Sequence, residues 1–397
     1  MPQYVWQHPN WPHFTMDYEQ LTPQLGRCRH LQGQLFQQVK SLGLDLELKT
    51  QLESLTKEAV KTAEIEGELL NPDSVRSSVA TRLGLPTGGL PGAPRNVDGL
   101  VDVLMDATSC DNKHLTTARL KAWQAALFPT GHSGLFKIIT GDWRTEPMQI
   151  VSGRIGREKV HYEAPPADQV NDEIEAFLTW WEGSHPEQEN VDPILRAGIA
   201  HYWFVAIHPF DDGNGRIGRA LADMALAQGE GAAKRCYSLS STIMENKDSY
   251  YKILSHTSNG AGDLTEWLSW FLSCHEHAMQ ESQTTINKVM GISRFWQNVS
   301  HLDMNTRQRK ALSKLLEAGE DGFEGGLTAK KYQGMSKSSR ATVTRDLVDL
   351  VEKGVLAMEG ERRTTKYSLN WDYTKEILQR EELDSEEGQG DDLSFKP

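Results

Sequence analysis

From residue 44 to residue 68, apolar side chains return at helical steps: Leu48, Leu52, Leu55, Val60 and Ala63. That period predicts a helix with one buried face. It should stop near Gly67, with Asn71-Pro72 marking its end. Upstream, residues 1 to about 35 are rich in Trp, Pro and His and show little periodicity. Residues 84–99 are rich in Gly and Pro and read as a loop. Leu115 to Ala126 reads as a helix. Between 135 and 162 the pattern changes. Leu135-Phe-Lys-Ile-Ile139 and Met148-Gln-Ile-Val151 are short β-like runs, Ser152 to Gly156 is a turn, and Lys159 to Tyr162 is a return strand. Helical patterns resume from Val170 to Trp181, after Pro165-Pro166. They resume again from Asp192-Pro193, where Asp is a natural N-cap and Pro a natural first helical residue. Leu195, Ile199, Tyr202 or Trp203, and Ala206 line one face of that helix, which runs into His208-Pro209. A further helix follows the next glycines, with Ile217, Leu221, Met224 and Ala225 as its stripe. The stretch from about 110 to 275 is therefore mainly α-helical with one small hairpin.

A second unit is expected over 302–370. Arg307 to Ala318 is helical, Thr328 caps a short helix, and Ser336 to Ser339 cap a longer one, Arg340 to Glu352, closed by Gly354. Val355 to Met358 and Thr365 to Leu369 flank the polar turn Glu359 to Arg363. Three helices followed by a hairpin is the pattern of a winged helix-turn-helix.

The chain has 397 residues, enough for two or three domains, and a net charge of -13. Seven of the acidic residues lie between Glu381 and Asp392, so 381–397 reads as an acidic disordered tail. An acidic chain is a poor general nucleic-acid binder, and such a role would need a local basic patch. Cys28, Cys110, Cys236 and Cys274 are scattered without metal-site or disulfide spacing. The N-terminus lacks the basic and apolar regions of a signal peptide, and no apolar run is long enough to span a bilayer. No membrane role and a cytoplasmic location are expected.

Chemistry concentrates in His208-Pro-Phe-Asp-Asp-Gly-Asn-Gly-Arg-Ile-Gly-Arg219. Gly213-Asn214-Gly215 opens a helix, where unpaired N–H groups and the positive end of the dipole favour an anion, and glycine lets a ligand come close. Arg216 and Arg219 add fixed cations suited to phosphate oxygens. Asp212 is placed to hold a Mg2+ that bridges phosphates. His208 is the residue here that titrates near neutral pH, a natural general base. Each piece alone has a bland explanation: a lone Gly-Asn-Gly is a turn, and a lone His after an apolar helix is packing. Their combination in one segment points to a nucleotide-phosphate site.

The segment resembles the motif of the Fic (Fido) family at every defined position, and the upstream helices and hairpin resemble that family's organisation. The resemblance implies a Fic-type helical bundle with a β-hairpin flap, and transfer of AMP from ATP to Ser, Thr or Tyr hydroxyls of proteins, the chain itself included. It implies His208 as base and Asp212 as Mg2+ ligand. It implies Gly213, Asn214, Gly215 and Arg216 around the phosphates, with Ile217 and Gly218 in the same turn, and Arg219 on the γ-phosphate. Gly215, where a variant branch of the family has Lys, argues against kinase-like use of the nucleotide. Family likeness also implies a flap edge at Val160, His161, Tyr162 and Glu163 that holds a target's main chain. It implies Tyr250 and Asn259 near the adenosine, and possible pairing of two copies as a homodimer.

Thr62-Ala-Glu-Ile-Glu66-Gly67 resembles the inhibitory motif of autoinhibited family members. Glu66 would then occupy Arg219 in place of the γ-phosphate, turning the α-phosphate out of line. The same glutamate positions a water in some members, so removal of AMP is open as well. The implied organisation is a leader region over 1–110 with the inhibitory helix at about 44–68, a catalytic domain over 111–278, and the C-terminal winged helix over 302–370. From Thr328 to Ser368 there are nine Lys or Arg against five acids. Arg340, Thr342, Thr344 and Arg345 would face duplex DNA, with Arg362 and Arg363 on the wing. The competing reading is therefore a DNA-binding regulator whose Fic domain senses nucleotide.

Overall fold

The computed structural model describes residues 3–109, 113–154, 157–188, 190–230, 236–318, 323, 326–360 and 365–370. The expected acidic tail 381–397, Cys110 and the wing residues Arg362 and Arg363 lie outside them. The chain divides into two compact units, Met1–Ile286 and Asn287–Pro397.

The first unit opens with α1 (Tyr18–Ser41) and α2 (Leu44–Ile65). Sequence periodicity had left α1 unread because Pro23, Gly26 and Gly33 dilute it. Its buried Leu21, Cys28 and Leu35 nevertheless fall seven residues apart on one face. α3 (Pro72–Arg82) corrects the expectation at Asn71-Pro72: this pair starts a helix rather than only ending one. The Asn71 side chain accepts from Ser74 N–H, and Pro72 sits in the first turn. Because α3 buries Ser74, Ser77 and Ser78 beside Val75 and Val79, it has no strong apolar stripe to read. α4 (Arg95–Ser109) takes back the last residues of the expected 84–99 loop. It crosses α5 (Thr117–Leu127) at Gly99, where a Cβ would lie 1.9 Å from the Ala126 carbonyl oxygen.

The strands are short. β1 (His132–Ser133) pairs with β2 (Phe136–Lys137), and β3 (Gln149–Arg154) pairs antiparallel with β4 (Arg157–Glu163), with a register shift after Ile150. The run expected from Leu135 to Ile139 is thus mostly turn, and Leu135 and Phe136 stand exposed. Next come α6 (Val170–Gly183), α7 (Pro193–Ile207) and α8 (Asn214–Glu230). α7 is capped by Asp192, whose side chain accepts from Ile194 N–H, and almost every residue along it is buried. It packs along α8, and Gly218 permits the close approach: a Cβ there would lie 2.9 Å from Val205. α9 (Leu239–Glu245), α10 (Lys247–Ser258) and α11 (Thr265–Asn298) follow.

Two features join the N-terminal helices to this core. The Glu58 carboxylate, on α2, accepts from Ser238 Oγ at 2.8 Å, from Ser240 N–H at 3.0 Å and from the Ser240 hydroxyl. The chain before α1 packs Trp11 and Phe14 edge-on against Trp203 and hydrogen-bonds through Thr15 to Gly262 and Leu264.

The second unit holds α12 (Thr306–Ala318), α13 (Ala329–Ser336), α14 (Arg340–Glu352) and an antiparallel pair, β5 (Leu356–Glu359) with β6 (Lys366–Leu369). Thr328 and Ser339 cap α13 and α14 through their hydroxyls, as their positions predict. Buried Asp346 ties the helices together, accepting from Arg307 Nε at 2.8 Å and Tyr332 OH at 2.9 Å. α14 turns Arg340, Thr344, Arg345 and Val348 outward.

Candidate functional site

α7 ends at Ile207 because His208 takes the left-handed conformation, φ +50°. A non-glycine residue in that region is uncommon and is held there by its surroundings. Buried Arg144 is one such restraint: its Nε donates to the His208 carbonyl at 2.8 Å, and its guanidinium also reaches the carbonyls of Glu146 and Pro165. The His208 Nδ1 lies 3.2 Å from the Val205 carbonyl oxygen. An imidazole facing a carbonyl must donate, so Nδ1 carries the proton and the lone pair is on Nε2. Burial pushes the His208 pKa below its ordinary value, keeping the imidazole neutral at pH 7.

The turn that follows is closed by Asn214. Its side-chain oxygen accepts from Phe210 N–H at 2.9 Å, and its amide nitrogen donates to the Phe210 carbonyl at 2.7 Å. The side chain thus locks the loop, and a ligand would meet Asn214 through its backbone N–H. Gly213 has φ +93° and abuts Phe128. The Ile217 side chain is fully buried and Gly218 faces α7. What remains open is the first turn of α8 at Gly215, flanked by Arg216 and Arg219.

Both arginines are already engaged by carboxylates. Arg219, only 1% exposed, gives Nε to Thr62 Oγ1 at 2.7 Å, and Nη2 to the Thr62 carbonyl at 2.9 Å and to Glu66 Oε1 at 2.7 Å. Glu66 stands so close over the helix start that a Cβ on Gly215 would lie 2.2 Å from its Oε1. Burial raises the Glu66 pKa, but Arg219, Arg216 and His208 outweigh it and hold the carboxyl below the usual range. Arg216 lies over the Phe128 ring, 4.7 Å from its centroid, and donates to Glu68 Oε2 at 3.1 Å. Arg219 Nη1 and Arg216 Nε are buried and make no hydrogen bond among the described residues. Two unsatisfied cationic donors beside a helix N-terminus fit an anion with several oxygens.

The Asp212 carboxylate accepts from its neighbour Gly213 N–H at 2.6 Å and from the hydroxyl of Ser133, the last residue of β1. A single oriented carboxylate beside a phosphate site suits Mg2+, which takes one or two carboxylates and completes its shell with phosphate and water.

The neighbouring predictions fare unevenly. Tyr250 is 2% exposed, and its hydroxyl meets His201 Nε2 at 2.9 Å, so it belongs to the core. Burial raises its pKa well above the ordinary value. Its neighbour Tyr251 is the exposed ring at this end of α10, with its hydroxyl 3.2 Å from the Ile65 carbonyl at the close of α2. Asn259 is exposed and donates to the His161 carbonyl at 3.2 Å, tying α10 to the hairpin. The Tyr162 side chain anchors the hairpin: it is buried, stacks edge-on against Tyr4 and gives its hydroxyl to the Ala206 carbonyl. Trp6 Nε1 donates to the Glu163 carbonyl at 2.8 Å. Two carbonyls of the expected edge, His161 and Glu163, are therefore taken by the chain itself, and Val160 remains exposed. Sequence reasoning missed Arg144, Ser133, Glu68 and Tyr251. Only Glu68 carried a signal, as a second acid just past the helix end.

Residues 114–226 match the Fic/DOC family, and residues 4–85 match a domain described as a domain of unknown function (DUF4172). Over 143 residues the chain is 29% identical to the protein adenylyltransferase Fic of Nematostella vectensis, covering 35% of this chain and 31% of that protein. It is 32% identical over 80 residues to protein adenylyltransferase fic-1 of Caenorhabditis elegans, covering 19% of this chain and 15% of that one. The chain spans less than a third of the length of these relatives. The crystal structure of a Fic family protein from Desulfovibrio desulfuricans shares the fold, with a TM-score of 0.52 at 20% identity over 90% of this chain and 98% of that one. No helix among the described residues is long and apolar enough to cross a membrane.

Proposed function

Residues 114–226 form a Fic/DOC-family domain, and on that premise we propose that the protein is an adenylyltransferase moving AMP from ATP to Ser, Thr or Tyr hydroxyls of proteins, itself included. The observation that carries this reading is the His208 imidazole, with its proton fixed on Nδ1 and a free Nε2, at the mouth of an anion site built from the α8 N-terminus and two arginines. Nε2 accepts the proton of the target hydroxyl. The oxygen forms a bond to the α-phosphorus, the bond to the β-phosphate oxygen breaks, and pyrophosphate leaves. Gly215 N–H, Arg216 and Arg219 stabilise the phosphate charge. Asp212, oriented by Ser133, would hold a Mg2+, which when bound neutralises phosphate charge. Target main chain pairs with the β3–β4 hairpin on the part of its edge not taken by Trp6 and Asn259.

Glu66 makes the resting protein quiet. While it holds Arg219, the γ-phosphate loses its partner and the α-phosphate is not in line. The same carboxylate is placed to orient a water for removal of AMP. The test is incubation with ATP labelled at the α-phosphate. Weak labelling of the wild type, a gain of tenfold or more in Glu66→Gly (about 1.4 kcal/mol of barrier), and none in His208→Ala or with EDTA are expected. Labelling of His208→Ala equal to the wild type would sink the mechanism.

A second reading is favoured by the outward face of α14, where Arg340, Thr344 and Arg345 lie together in an otherwise acidic chain. As the winged helix of a regulator, this face would contact duplex phosphates. Fluorescence anisotropy should then show binding that falls steeply with salt and is weakened by Arg340→Ala. Absence of binding at low salt removes this reading.

A further inference from the structure

Glu66 and Glu68 flank Gly67, whose φ of +83° turns the chain out of α2. Glu68 N–H bonds the Ala63 carbonyl and Gly67 N–H the Glu64 carbonyl, closing the helix in a Schellman-type end. That turn presents two carboxylates to one place. Arg216 and Arg219 are three residues apart on the first turn of α8, so they present two guanidiniums to the same place. Glu66 takes Arg219, and Glu68 takes Arg216. The second pair is held from both sides. Asn96 Nδ2 donates to Glu68 Oε1 at 2.8 Å, and Phe128 supports the face of Arg216.

We propose that Glu68 is a further residue of the nucleotide site: it stands in for a phosphate on Arg216, so an incoming triphosphate has to displace it to bind, while Glu66 has to leave Arg219 before the bound nucleotide can react. The inference rests on reading the site as a nucleotide site. It adds a residue that sets affinity, where Glu66 sets whether the bound nucleotide reacts. The two acids differ in how they leave. Glu68 is 38% exposed and can swing into water, while its partner Arg216 is 8% exposed and cannot follow. Displacement therefore leaves the guanidinium in the site, ready for a phosphate oxygen, with its buried Nε also unmatched until the ligand arrives.

The experiment is isothermal titration of MgATP into the full chain. Glu68→Gln keeps the shape and removes the competing charge, and should tighten Kd by about two- to fivefold, the scale of a partly exposed ion pair. Asn96→Ala frees Glu68 without altering its charge and should shift Kd the same way by less. Glu66→Gly/Glu68→Gln should bind more tightly than Glu66→Gly. Melting curves identify any variant whose fold is damaged, and Asn96→Ala then carries the test. An unchanged or weakened Kd in Glu68→Gln and Asn96→Ala overturns the inference, even if Glu66→Gly labels strongly. Tighter binding with no labelling in any variant overturns the transferase reading and leaves the role of Glu68 standing.

Discussion

Two histidines of α7, His201 within the helix and His208 at its end, show how burial sets chemistry at the scale of single residues. His208 sits at the end of α7 with Nε2 open, and burial lowers its pKa. If His208 is the base, as proposed, its neutral form is the active one, so activity is lost only as pH falls through that lowered value. The acid limb of the labelling rate should lie below the 6.5 of a free imidazole, as initial rates across pH would report. His201 is sealed within the core against Tyr250, and its pKa is pushed down to about 3. Between 6.5 and about 3 the unfolded chain binds a proton there that the folded chain refuses, so stability is intact above 6.5 and falls as pH drops. The slope is up to about 1.4 kcal/mol per pH unit. Denaturant unfolding between about pH 4 and 6 should be less pH-dependent in His201→Gln. Equal slopes in the two proteins would contradict this.

At the scale of elements, two contacts decide how the site is framed. Gly99 lets α4 lie against the last turn of α5, and the obstacle to a side chain is the backbone of Ala126. Gly99→Ala should cost about 1–3 kcal/mol and lower the melting temperature, since backbone cannot step aside as a side-chain tip can. The hairpin β3–β4 is held at its base by Trp6 and Tyr4 from the start of the chain. Trp6→Phe removes one hydrogen bond, worth about 1 kcal/mol, while keeping an aromatic ring. Hydrogen exchange across 149–163 should quicken in this variant, with MgATP binding unchanged. Unaltered exchange would show that Trp6 does not hold the hairpin.

At the scale of the whole molecule, the proposed role of the Glu66–Arg219 pair implies that stability is coupled to ligand. Arg219 is buried, and without Glu66 it would lose its carboxylate and keep only neutral partners such as Thr62 and Tyr250. Glu66→Gly without nucleotide should lose roughly 1–3 kcal/mol and melt a few degrees lower. MgATP restores a partner to the guanidinium, so its stabilisation by mass action should be larger in the variant than in the wild type. Scanning calorimetry with and without MgATP reads the difference, and equal shifts would show that Arg219 does not meet the nucleotide.

The chain by itself determined the local chemistry. The helix caps at Asp192, Thr328 and Ser339 follow from residues whose partners are a few positions away, and the residue types at 208–219 and at 66 are what carry the proposed chemistry. Tertiary structure decided what depends on distant partners. That Tyr250 is core and Tyr251 exposed turns on which side of α10 meets His201, a partner 49 residues away. That Tyr162 is an anchor turns on Tyr4 and Ala206, and that Ser133 orients Asp212 turns on a contact across 79 residues. α3 and the start of α1 stayed hidden because serines, a proline and glycines blur the period that packing later restores. Glu68 marks the boundary between the two. The acid is plain in the sequence, but its hold on Arg216 exists only because a left-handed glycine at the end of α2 brings the turn against the first turn of α8.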